Sequence, residues 1–106
     1  MLFFFARLWM KRRIRKLLQD REYNSRSISD NRYRYRELDR LHFDTTLSDD
    51  PYAIYKQQVL PKEALLVLLK SEMEGFQKQI KIDEEANGVL QSKIDLFRKE
   101  GRIYYV

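Results

Sequence analysis

Cysteine is absent, and histidine occurs once, as His42. Without thiols the chain has no disulfide framework, no thiolate metal site and no cysteine nucleophile. A single imidazole excludes paired-histidine metal sites and histidine-based catalytic dyads. Glycine occurs three times and proline twice, and neither a P-loop nor a Gly-x-Ser-x-Gly elbow is present. Apolar runs are short. The first breaks at Arg7, far from the roughly 20 residues a membrane span needs. The neighbours Glu84 and Glu85 point about 100° apart on a helix, so they do not face each other as an acid and a base. Catalysis, cofactors and a small-molecule substrate are therefore not expected. The pair Asp49-Asp50 reads as a helix cap, not a metal ligand set, because no second carboxylate cluster completes it.

Charge is abundant. Charged residues make up 35% of the chain and the net charge is +5. Residues 1–40 carry 12 Lys and Arg against 5 Asp and Glu, whereas residues 41–106 carry 9 against 11. Ten of the first 12 basic residues are Arg, and seven of the last nine are Lys. Guanidinium groups grip phosphate bidentately and stack on flat rings; ammonium groups are solvated point charges. The composition thus predicts an Arg-rich contact arm followed by a solvated helical body.

The opening, MLFFFARLWMKRRIRK, has its charges after its apolar residues, the reverse of a secretory signal. No acid precedes Asp20, and a serine-containing stretch follows. Both traits suit an amphipathic mitochondrial import helix, here expected to be retained as a working arm. Phe3, Ala6, Met10, Ile14 and Leu17 share one face, widened by Leu2, Phe5 and Trp9. Arg7, Lys11, Arg12, Arg13, Arg15 and Lys16 are candidates for binding an anion.

In SDNRYRYRELDRLHF, Ser29 or Asp30 reads as a cap, and Tyr35, Leu38 and Leu41 or His42 as a stripe. Arg32, Arg34, Arg36 and Arg40 interleave with Tyr33 and Tyr35. Such a ladder suits RNA, where guanidinium meets phosphate and rings stack on unpaired bases. It equally suits a solvated helix with Arg paired to Glu37 and Asp39. Asp50 before Pro51 predicts a short helix carrying Tyr52, Tyr55 and Val59, ended at Pro61.

Beyond Pro61, Leu66, Leu69, Met73, Phe76, Ile80, Asp83, Asn87, Leu90, Ile94 and Phe97 advance in alternating steps of three and four. They predict one helix over about 61–100, or two joined near Asn87-Gly88, with Gly101 as its C-cap. Leu66, Leu69, Met73, Phe76, Ile80, Leu90, Ile94 and Phe97 are candidate protein-interface residues. Packing of the same stripe on the chain itself is the alternative. The tail Ile103-Tyr104-Tyr105-Val106 suits a partner groove.

Gln58-Val59-Leu60-Pro61-Lys62-Glu63 resembles a stretch in the small matrix-side subunit of the respiratory ubiquinol–cytochrome c reductase, without the aromatic positions that should follow. Leu8-Trp9 with its basic continuation, and Leu38 through Pro51-Tyr52, resemble a small large-subunit mitochondrial ribosomal protein, without its basic Gly-Lys loop. Both resemblances imply the same organelle. The expected fold is all-α and elongated. It has a basic amphipathic arm at 1–28, one or two short helices and a linker at 29–60, and a long C-terminal helix at 61–106. The expected role is a non-catalytic subunit of a large mitochondrial assembly, in the matrix or on the matrix face of the inner membrane. A ribosomal protein contacting rRNA and neighbouring proteins comes first; a respiratory-chain accessory subunit on anionic lipid, or a coiled-coil interaction protein, comes second.

Overall fold

A computed structural model describes the backbone from Leu2 to Tyr105 and the side chains of residues 5–100. The chain is mostly helical. It consists of α1 (Leu2–Leu47), β1 (Tyr52–Tyr55), β2 (Gln58–Pro61) and α2 (Lys62–Tyr105). Two compact units form, one from Met1–Ile28 with Ile82–Val106 and one from Ser29–Lys81.

The expected short middle helices are absent. Helix α1 runs through Ser29 and Asp30 without a break. The reason is a stripe that continues past Leu17: Arg21, Asn24, Ile28, Asn31, Tyr35, Leu38, His42 and Thr45 keep the alternating steps of three and four, and every one is buried or half-buried. The polar residues Arg21, Asn24 and Asn31 disguise that stripe as a boundary. A serine or aspartate is a cap only where the apolar period starts, and here the period is already running.

The stretch after Asp50 is also not helical. Asp50 Oδ1 accepts a hydrogen bond from the Tyr52 amide at 3.0 Å, a local turn that directs the chain into β1. Tyr52-Ala53-Ile54-Tyr55 and Gln58-Val59-Leu60-Pro61 then pair antiparallel, with Tyr52 opposite Pro61 and Tyr55 opposite Gln58. Aromatic and β-branched residues suit a pleated ribbon. Pro61 disfavours helical geometry at Leu60, so helix α2 starts immediately afterwards, at Lys62. The two-residue turn places Lys56 at φ 49° and Gln57 at φ 65°, the left-handed pair that a tight hairpin demands.

Helix α2 passes Asn87-Gly88 unbroken and passes Gly101, so that glycine is not a C-cap. The side chains of Leu2, Phe3 and the tail Ile103 to Val106 lie outside the described residues.

In the unit of Ser29–Lys81 the core is built on Leu65 and Leu69, both essentially inaccessible, with Thr45 buried alongside. Lys62 joins the chain reversal to the end of α1. Its amide donates to the Pro51 carbonyl at 2.9 Å, and its Nζ donates to the carbonyls of Thr46 and Ser48 at 3.1 and 2.6 Å. Helix α1 has no basic residue in its own last turn, so this ammonium supplies the cation that a helix C-terminus favours.

In the other unit Met10, Leu17, Ile28 and Ile94 are buried. The pairings Arg21 with Gln91, Ser25 with Asn87 and Ser27 with Asp83 descend one helix as they ascend the other, so the two stretches run antiparallel. Burying each leucine or isoleucine of these seams stabilises by about 1.5–3 kcal/mol.

Candidate functional site

The basic residues of α1 take their positions from the seam. In the unit of Met1–Ile28 and Ile82–Val106, Met10 and Leu17 are buried and Ile14 is half-buried. Lys11, Arg12, Arg13, Arg15 and Lys16 are consequently all exposed, and Arg7 is half-buried. Lys16 meets Asp20 at 3.2 Å one turn on, an exposed pair of little energetic weight. Among the described residues, no carboxylate pairs with Lys11, Arg12, Arg13 or Arg15. Four cations within five positions, with no acid before Asp20, repel one another and raise the local potential.

The Arg/Tyr ladder is different. Arg32, Arg34, Arg36 and Arg40 are exposed, as is Tyr33, while Tyr35 is half-buried. Between Ser29 and Leu47, however, those four Arg face an equal number of acids: Asp30, Glu37, Asp39 and Asp44. Tyr33, Arg36, Glu37, Arg40, Leu41 and Asp44 line one shallow depression of mixed charge. The Tyr33 hydroxyl titrates above the usual tyrosine value, first because Glu37 accepts its hydrogen bond and then because of that carboxylate's charge. Tyr35 Oη accepts from Gln77 Nε2 at 3.1 Å, so this ring serves the seam. The ladder's charges are balanced locally; those of residues 11–15 are not.

The eight candidate interface residues of α2 line the chain's own seam. Leu69 and Ile94 are 0% exposed, and Leu66, Met73, Phe76, Ile80, Leu90 and Phe97 are half-buried. What α2 turns outward in the first unit is a second apolar line, Ile82, Val89 and Leu96, each more than half exposed. Their seven-residue spacing keeps them on one side of the helix. His42 is half-buried in the seam.

The sequence reading placed the polar pair Asp83 and Asn87 on the α2 stripe, as marks of its register or of a bend, but did not foresee the cluster they form with partners on α1. Ser27 Oγ donates to Asp83 Oδ2 at 2.8 Å, with Asp83 only 8% exposed. Arg21 donates to Gln91 Oε1. Asn87 Nδ2 donates to Ser25 Oγ at 3.2 Å, and Ser25 Oγ to the Arg21 carbonyl at 2.9 Å. Asn87 Oδ1 is buried without a partner among the described residues. Extending the period of three and four from Leu17 would have placed Arg21 on the seam; Ser25 and Ser27 lie off that period. Among the described residues no three His, Asp or Glu gather in a metal-holding group. The cluster's chemistry is recognition between the two helices.

No family model, curated protein or solved structure matches the chain. The two short sequence resemblances accordingly rest on their own residues.

Proposed function

We propose that this chain is a non-catalytic structural subunit of a large mitochondrial assembly, held to a polyanionic neighbour by the basic stretch Arg7 to Lys16. The observation that carries the reading is the outward exposure of Lys11, Arg12, Arg13 and Arg15, none of which pairs with a carboxylate among the described residues. The matrix, or the matrix face of the inner membrane, is supported by the Arg-rich, acid-poor amphipathic opening.

In the ribosomal form of the proposal the polyanion is rRNA. Tyr33, exposed beside Arg36 and Arg40, supplies a ring on which an unpaired base stacks. Contact with neighbouring subunits falls to Ile82, Val89 and Leu96, since Leu69 and Ile94 are already buried within the chain. A second form, an accessory subunit seated on the inner membrane, gains from one specific feature: Phe5, Leu8 and Trp9 are exposed just ahead of the basic stretch.

Titration of the full chain with heparin, single-stranded RNA and anionic vesicles over a salt series tests the polyanion contact. Affinity is expected to fall steeply with salt, by about 0.7 logarithmic units per engaged cation and decade of salt for single-stranded RNA. Reversing Lys11, Arg12, Arg13 and Arg15 to Glu should abolish binding while leaving the helical circular dichroism intact. Equal binding by that variant, or no salt-dependent binding to any polyanion, would sink the proposal.

A further inference from the structure

The same stretch carries more than charge. On the first turns of α1, Phe5 is 63% and Trp9 58% exposed, with Leu8 exposed between them. Trp9 meets Phe97 of α2 edge-on, with ring centroids 5.6 Å apart, and the adjoining Leu96 is exposed. This end of the unit therefore presents a cluster of large apolar groups to water. Aromatic and aliphatic side chains grouped in this way mark a surface meant to be covered.

The cations follow directly. Lys11, Arg12 and Arg13 are successive residues and span about 200° of the helix circumference. Arg15 and Lys16 fall within the same arc, which leaves only the side of the Met10–Ile14–Leu17 seam without a cation. The result is a collar, whereas a helix lying flat on a surface needs its cations on one flank only. At 1.5 Å rise per residue the apolar cluster and the collar are centred about 9 Å apart along α1. That matches the roughly 5–10 Å by which apolar groups of an interfacial helix sink below the headgroups.

Anionic lipid satisfies both halves of this arrangement. Tryptophan and phenylalanine favour the headgroup boundary, and cations beside it are drawn to the negative surface potential. RNA offers phosphate to the collar but no hydrocarbon to Leu8 and Phe5. No helix among the described residues is long and apolar enough to cross a membrane, so the contact is a surface one. We propose that this end of the first unit docks tip-first on an anionic lipid surface, with Phe5, Leu8 and Trp9 entering the acyl boundary and Lys11 to Lys16 at the phosphates. This inference rests on the polyanion contact proposed above and names its chemistry.

Trp9 is the sole tryptophan, so its emission reports the docked end directly. Full-length protein is mixed with phosphatidylcholine vesicles, with vesicles of phosphatidylcholine and phosphatidylserine, and with single-stranded RNA. The expected result is a blue shift on the mixed vesicles alone, quenched by lipid brominated near the headgroup more strongly than by lipid brominated near the chain end. Each Arg→Gln change at Arg12, Arg13 or Arg15 should weaken vesicle binding about five-fold. Leu8→Ser should weaken it roughly ten-fold without changing heparin affinity. Salt-sensitive binding to vesicles or RNA with unmoved Trp9 emission and a neutral Leu8→Ser would overturn lipid docking while leaving the polyanion contact standing. Failure to bind heparin, RNA and vesicles alike would overturn both.

Discussion

Four residues show how single positions set the terms here. Gln57, at φ 65°, and Lys56, at φ 49°, occupy the left-handed region without being glycine or asparagine. Gln57→Gly removes that penalty and should raise stability by about 0.5–1 kcal/mol in urea titration. Tyr55 donates to Glu72 Oε2 at 2.9 Å. Its hydroxyl is pushed above the ordinary tyrosine value of 10.0 by burial first and by Glu72 second, against a smaller opposing pull from Lys56. The fold thus prefers the neutral phenol. The stability this contributes is whole below pH 10 and is lost as pH rises through the higher folded-state value. Tyr55→Phe should erase that part of the alkaline loss, read as urea midpoints against pH. Asn87 buries an oxygen that has no partner among the described residues. Asn87→Leu should stabilise by about 1 kcal/mol, while sedimentation should reveal mixed association states as the polar mark on the seam's register disappears.

At the scale of elements, stability resides in two stripes with one period. Ile94 and Leu69 are fully enclosed, so truncating either to alanine should cost about 2–5 kcal/mol. The same change at the exposed Val89 should cost less than about 0.5 kcal/mol, a contrast chemical denaturation can read. The stripe of α2 was legible in the sequence because eight of its ten positions are apolar. That of α1 was not, because Arg21, Asn24 and Asn31 interrupt it with polar groups, of which Arg21 pairs with Gln91 of α2. The β-hairpin was hidden for a different reason. Its turn has neither the Asn-Gly nor the Asp-Gly signal, and Asp50-Pro51 imitates a helix start while Asp50 in fact caps a turn at Tyr52.

For the molecule as a whole, the proposed function rests on uneven charge. Composition located the excess correctly in the first 40 residues but could not distinguish balanced from unbalanced parts of it. Residues 29–47 hold as many acids as the ladder has arginines, whereas none lies between Lys11 and Arg15. Neutralising Arg34, Arg36 and Arg40 with glutamine should change heparin affinity by less than about three-fold. The same treatment of Arg12, Arg13 and Arg15 should lower it by more than about a hundred-fold, since each cation at a polyanionic surface contributes about 1 kcal/mol.

The turn at Lys56-Gln57 also bears on how the chain reaches its native state. A reversal that its own residues resist is a poor seed for folding. We expect the helices to meet through Leu65, Leu69 and their neighbours before the ribbon closes, which places closure after the rate-limiting barrier. Gln57→Gly should then slow unfolding in stopped-flow experiments by about the full factor of its stabilisation and leave the refolding rate unchanged.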